Sequence, residues 1–186
     1  MKKFTSLLLT VLVSAVCFGQ IVITEISYNG PESGTDTTEF IELYNKTSAS
    51  INLSGYSFSQ GVTYTFPNVS IGANGYLVIA VDSAAIMNVF GASARQWTSG
   101  GLSNGGEDIV LENSTGVTID SVDYDDGGIW PSDPDGNGST LVFCDTSKDN
   151  NDGTNWKAST YTVAGKIVNA KQVYGSPGKA DSVCIS

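Results

Sequence analysis

Residues 107–124 read EDIVLENSTGVTIDSVDY. Apolar and polar residues alternate along EDIVLE and again along TIDSVDY, with Asn113 to Gly116 supplying the reversal between them. Two runs of period two joined by a turn rich in Asn, Ser and Gly are the pattern of a β-hairpin with one face on a core and the other in water. This stretch decides the class, because the same grammar recurs along most of the chain.

IVITEISY (21–28) reads as the first strand. EFIELYN (39–45) sets Phe40, Glu42 and Tyr44 against Ile41 and Leu43, so both of its faces have something to bury. LSGYSFS (53–59) and VTYTF (62–66) follow, with a turn at Gly61 and a stop at Pro67. GYLVIAV (75–81) is unbroken, the mark of a strand covered on both sides. STLVFC (139–144) adds another strand and YTVAGKIVNAKQVYG (161–175) one or two more. A single helix is predicted in DSAAIMNVFG (82–91): Asp82 or Ser83 caps it, Ile86, Val89 and Phe90 share a face, and Gly91 supplies the left-handed stop. It reads as a lid over one end of the fold. Seven or more short strands at such spacing predict an all-β, antiparallel sandwich with one short helix, built as one domain.

The chain has 186 residues, 40% of them hydrophobic and 15% charged, which is an ordinary globular composition. Its opening MKKFTSLLLTVLVSAVCFGQ carries Lys2 and Lys3, an apolar run from Leu7 to Phe18 and a small residue at Gly19. This is the pattern of a secretory signal over residues 1–19, too short to span a membrane, with cleavage leaving Gln20 first and residues 20–186 as the domain. Lipid attachment at Cys17 is the weaker alternative, since Val16 stands where such sites want a small residue. Without Lys2 and Lys3 the formal charge goes from -10 to -12, seven Lys and Arg against nineteen Asp and Glu. Such a surface repels nucleic acid and attracts divalent cations or basic partners. Once Cys17 is removed, Cys144 and Cys184 remain; in an oxidising compartment they form a bridge worth roughly 4 kcal/mol on loop-entropy grounds, the alternative being two unpaired thiols.

Taken in order, ITEISYNG (23–30), EFIELYN (39–45), INLSGYSF (51–58), YTFPNVSIGANGYLVIA (64–80), GGLSNGGEDIVLEN (100–113), GVTIDSVDY (116–124), WPSDPDGNGSTLVF (130–143) and GSPG (175–178) resemble the lamin tail domain. The resemblance runs over about residues 21–178. It implies an immunoglobulin-like β-sandwich of the type found in nuclear lamins and secreted bacterial proteins, with a binding or scaffolding role and no catalytic site of its own. Members commonly close on Thr-Pro-Gly followed shortly by Asn, whereas here Ser176, Pro177 and Gly178 lead to Lys179, Ala180 and Asp181. The core is expected around Phe40, Leu43, Tyr56, Trp130 and Trp156, with Trp97 a further ring at a family core position.

The residue inventory narrows the chemistry. The chain has no histidine, which removes Ser-His-Asp and Cys-His catalysis and His-ligated zinc. GLSNG (101–105) matches the nucleophile-elbow pattern, yet Ser103 has no base to activate it, and the segment reads as a glycine loop before a strand. Glu25, Glu39 and Glu42 fall on neighbouring strands, while Glu107, Asp108, Asp123, Asp125 and Asp126 gather at loop edges; in a sandwich such groups cap backbone N–H groups or face water.

DPDGNG (133–138) looks like the first half of a calcium loop, with Asp133, Asp135 and Asn137 at its first, third and fifth positions. Cys144 stands where the closing glutamate belongs and a strand follows, so the stretch is not an EF-hand. A structural Ca²⁺ held by Asp133, Asp135 and Asn137 with help from Asp125 and Asp126 is the one cofactor the sequence leaves open; Asp145, Asp149 and Asp152 are further candidates. The expectation is a secreted or cell-surface, non-enzymatic binding module for an unidentified protein or surface partner, with no nucleic acid and no transmembrane segment. The alternatives are Ca²⁺-dependent adhesion or carbohydrate binding, and a hydrolase using two carboxylates.

Overall fold

The structure, a computed structural model, describes residues 19–185. The expected export signal and Cys17 lie, apart from Gly19, outside the described residues. Among these residues fourteen strands and one α-helix form. They are β1 (Ile21–Ser27), β2 (Phe40–Asn45), β3 (Ile51–Asn52), β4 (Ser57–Gln60), β5 (Tyr64–Thr65), β6 (Ser70–Ile71), β7 (Tyr76–Ala80), α1 (Ser83–Phe90), β8 (Ala94–Gln96), β9 (Glu107–Glu112), β10 (Thr118–Tyr124), β11 (Leu141–Phe143), β12 (Trp156–Ala158), β13 (Thr162–Val168) and β14 (Lys171–Tyr174).

Two sheets make an immunoglobulin-like sandwich. One has six strands in the order β12-β11-β1-β2-β7-β8; the other has four, β10-β9-β4-β5. The small pairs β3-β6 and β13-β14 stand beside them. Residues 107–124 do form the hairpin that their alternation predicts, and its turn is held by the Asn113 side chain, whose Oδ1 accepts from the backbone N–H of Thr115 and Val117. Between the sheets, Ile23, Ile41, Leu43, Ile79 and Phe143 from the larger meet Phe58, Ile109, Leu111 and Val122 from the smaller. Each such side chain removed from water contributes about 1.5–3 kcal/mol.

The six-stranded sheet is covered on its other face as well. Asp82 caps α1 by accepting from the backbone N–H of Ala84 and Ala85, Gly91 ends it at φ 68°, and Ile86 turns inward. Ile86 joins Phe40, Val78 and Ala80 in a second cluster, and the Phe90 ring meets Phe40 edge-on at 5.6 Å. Phe40 thus lies under the helix, outside the sandwich interior, because its alternation with Leu43 along β2 sends the two to opposite faces.

Three expectations need correction. The sandwich is not antiparallel throughout: β7 and β8 pair in parallel, since α1 carries the chain back across the sheet and acts as a crossover as well as a lid. Tyr56 and Trp130 are only half-buried and pack against the margin of the core. Trp130 follows the Gly127–Gly128 turn at an edge, its ring 5.8 Å from the buried Trp156, and so close to Gly153 that a Cβ there would stand 2.8 Å from it. β8 and β12 carry too little alternation, three residues each, to be read beforehand.

Leu43→Ala should lower unfolding free energy by about 2–5 kcal/mol in urea titration, whereas exposed Val117→Ala should change it by no more than ~0.5 kcal/mol. Equal costs would contradict this assignment of faces.

Candidate functional site

The chemistry of the molecule begins with a break in the rhythm of its first strand. Ile21 and Ile23 face the interior and so do Ile26 and Tyr28, although strict alternation cannot put odd and even positions on one side. The register explains it: Ile23 pairs with Leu43 and Glu25 with Glu42, leaving Thr24 as an extra residue in a β-bulge. The bulge is pinned from the other layer. The backbone N–H of Ile23 donates to Asp120 Oδ2 at 2.7 Å, and Asn150 Nδ2 donates to the same oxygen at 2.8 Å. Trp156 Nε1 in turn donates to the Asn150 carbonyl at 2.7 Å. Burial holds the Asp120 carboxyl up to about 6 despite the amide donors of Ile23 and Asn150, which favour its charged form.

By reversing the phase of β1, the bulge sends Glu25 to the outer face directly opposite Glu42, and both are buried, at 1% and 2% exposure. Like charges facing each other across an antiparallel pair are unfavourable, more so out of water. Their partners are hydroxyls and amides. Glu25 Oε1 accepts from Thr140 Oγ1 at 2.6 Å and from the Ser176 N–H at 2.9 Å, and Oε2 from Ser176 Oγ at 3.1 Å. Glu42 Oε1 accepts from Thr24 Oγ1 at 2.8 Å and Oε2 from the Gly178 N–H at 2.7 Å.

Burial therefore pushes Glu25 up to about 7 against the opposing hydrogen bonds, with the Asp181 carboxylate adding to it. Glu42 stands well above the ordinary carboxylate range, through burial first and then the charge of Glu25. At neutral pH the pair retains protons.

The lid over this pair is the C-terminal segment. Gly175 lets the backbone come close, since a Cβ there would stand 2.9 Å from the Phe90 ring and 3.1 Å from Thr140. Ser176, Pro177 and Gly178 then cross the glutamates, and Asp181, 2% exposed, accepts from the Ser159 hydroxyl. The Cys144–Cys184 disulfide, 40 residues apart in sequence with Cα atoms 5.0 Å apart, fastens the segment to the end of β11. A cavity of about 170 Å³ remains beside the pair, lined in part by Tyr44, Tyr76, Thr146 and Lys179.

The other carboxylates divide into two kinds. Some hold backbone: Glu39 Oε2 accepts from the Leu102 N–H at 2.8 Å, and Glu107 Oε1 from the Ser103 N–H at 2.6 Å. Burial raises Glu39 to about 7, with Asp36 and Glu107 adding negative charge. Ser103 Oγ accepts from the Gly105 N–H at 3.3 Å, which makes it a turn residue in the glycine loop.

Others, Asp125, Asp126 and Asp135, gather in an acidic rim. Asp125, Asp133 and Asp135 are exposed and Asp126 is partly so. Asp126 is raised by its hydrogen bond to Asp125 and, more weakly, by the charge of Asp135. The rim lies near the rings of Tyr28 and Tyr124, whose centroids are 4.9 Å apart and whose planes are tilted by 34°, and burial plus the charges of Asp135, Asp126 and Asp125 raise the Tyr28 hydroxyl.

Among the described residues, no three carboxylates or thiols converge closely enough to hold a metal ion. Asp135 is engaged by Asn29 Nδ2 at 2.7 Å, Asp125 accepts from the Gly127 N–H at 2.9 Å, and Asn137 bonds back to the Asp135 carbonyl at 3.2 Å. DPDGNG acts as a turn: the Asn137 N–H bonds the Asp133 carbonyl, Gly136 and Gly138 take φ of 69° and 98°, and the Tyr174 N–H bonds the Gly138 carbonyl. Asp145, Asp149 and Asp152 likewise accept from backbone N–H groups two residues on.

Two sheets packed in this way define an immunoglobulin-like module. The Lamin Tail Domain family model matches residues 17–126, more than half of the chain, and the protein belongs to that family. WPSDPDGNGSTLVF and GSPG, on which the resemblance also drew, fall beyond the matched residues. No curated protein matches the chain.

The lid contacts were missed from sequence because Ser176 and Glu25 are 151 positions apart. The phase break in IVITEISY was the available clue to Glu25.

The sign of the pH dependence follows from the raised Glu25. Below the ordinary value of 4.5 both folded and unfolded chains are protonated and the full stability is present; as pH rises, the unfolded chain releases its proton first, and stability is lost through about 7. The thermal midpoint should therefore fall by about 5–10 °C between roughly pH 5 and pH 8.5. Glu25→Gln, which keeps the acceptor, should fall distinctly less; an unchanged slope would contradict the raised carboxyl. Chelator should leave the wild-type midpoint unmoved, and a drop would mean that the rim does bind metal.

Proposed function

We propose that the protein is an exported, non-catalytic recognition module whose acidic rim receives a basic surface on another protein or on the cell envelope. The observation that carries this reading is the division of its carboxylates. Glu25 and Glu42, the pair best suited to acid–base work, have all four oxygens committed to hydroxyl and amide donors beneath the C-terminal segment. Asp125, Asp126, Asp133 and Asp135 face outward at the margin instead. Negative charge on an exposed loop set over a rigid sandwich favours association with cations and weakens with salt. The same charge speaks against nucleic acid.

Export is inferred from the two-lysine, apolar opening of the chain and agrees with the disulfide, since such bridges persist in oxidising compartments. Lamin tail membership supports a binding or scaffolding role. No residue on the rim is assigned a cofactor.

The test is capture from the native cell envelope by tagged protein. Asp125→Asn/Asp126→Asn/Asp135→Asn should retain about a tenth or less of the partner captured by wild type, and raising salt should release the partner from wild type. Equal capture by both, or substrate turnover by the purified protein, would overturn the reading.

A further inference from the structure

We propose that residues 176–185 form a proton-gated strap, closed over the Glu25–Glu42 pair while the pair keeps its protons and lifting when it gives them up, with Cys144–Cys184 limiting the travel. The composition of the strap is the first argument. Its apolar hold is slight: Pro177 is buried, Val183 half-buried, Ala180 exposed and Ile185 75% exposed. It is held instead by polar contacts: Ser176 and Gly178 to the two glutamates, Asp181 to Ser159, and Lys157 Nζ to the Val183 carbonyl at 3.2 Å. A segment with few apolar contacts opens locally at low cost, and the charge on its polar partners then decides its position.

Around the pair stand charges of both signs, Lys46 among them, its ammonium donating to the carbonyl of the cavity-lining Thr146 at 3.3 Å. Asp181 of the strap brings a third carboxylate to the pair. Lys179 lines the cavity, but its ammonium sits over the Tyr161 ring, 3.9 Å from the centroid, and donates to that hydroxyl at 2.7 Å. Tyr44 and Tyr76 face the site from β2 and β7, and burial with the charge of Glu42 raises Tyr76 to about 12, so it stays neutral. Just past β11, Cys144 is bridged, and Thr140 just before that strand offers a hydroxyl.

The Ser176 and Gly178 amides do favour ionised glutamates, yet they are outweighed by burial and by repulsion within the pair. The cavity of about 170 Å³ offers water a way in, and lifting the strap completes the hydration that the ionised pair lacks. Reduction of the disulfide would remove the limit on that movement without altering the gate.

Amide hydrogen exchange read by mass spectrometry tests this on the intact protein, after correction for the intrinsic pH dependence of exchange. Between about pH 5.5 and about pH 8.5 the peptide covering 176–185 should lose protection by about tenfold or more, with peptides from the β4–β5 hairpin changing far less, and added reductant should deepen the loss at the higher pH only. In Glu25→Gln the pH response of the strap peptide should shrink several-fold. The proposal is overturned if the strap and the hairpin lose protection in parallel in wild type, or if the folded Glu25→Gln protein retains the full response. It is also overturned if reduction releases the strap equally at both pH values. Should Glu25→Gln fail to fold, the wild-type comparison of strap with hairpin decides alone.

Discussion

A single inserted residue governs the outer face of the larger sheet. Thr24 bulges out of β1 between Ile23 and Glu25, and the strand's alternation changes phase there. Without it, Glu25 could not stand across from Glu42 while Ile21, Ile23, Ile26 and Tyr28 all reach the interior. The fold invests in holding that irregularity: Asp120 from β10 takes up the Ile23 N–H, Asn150 braces Asp120, and the buried Trp156 fixes Asn150 through its indole N–H. An aspartate is thus kept among apolar residues at one layer so that two glutamates can be presented at another.

The consequence is a molecule in layers with distinct roles. The part matched by the family model ends at residue 126 and holds most of the two packed sheets. The remainder of the described chain supplies β11 and β12 at one side of the larger sheet and then turns back over its outer face. There it covers the glutamates with Ser176 to Gly178 and is fastened by the disulfide. Pairing in the sandwich rests mainly on hydrophobic burial, whereas the outer face is closed by polar contacts to two buried carboxyls.

Much of this was legible in the residues. Period-two alternation located the hairpin at 107–124, and the Asp82 cap with the Gly91 stop bounded the helix, because those signals are local and each residue has one job. The family resemblance rested on the same segments. What could not be read were features whose cause lies far away in sequence. β8 exists because the helix returns the chain beside β7, and β12 because β11 offers it an edge. Asp133, Asp135 and Asn137 looked like metal ligands because turns and calcium loops both use Asp, Asn and Gly; only the contacts of Asp135 with Asn29, and of β14 with Gly138, separate the two. Glu25 and Glu42 were noticed as neighbours, but their burial and their lid depend on Ser176 and Gly178, more than 130 residues later.

The central claim is that the glutamate pair keeps its protons into the neutral range because burial, with the neighbouring carboxylate charges, outweighs the hydroxyl and amide donors that favour ionisation. Titration of side-chain carboxyl carbons by NMR, with glutamate labelled and Glu25→Gln used for assignment, measures this directly. The account requires the Glu25 and Glu42 resonances to titrate as a coupled pair, Glu25 near 7 and Glu42 well above the ordinary carboxylate range. Both resonances moving near the ordinary value of 4.5 would contradict it.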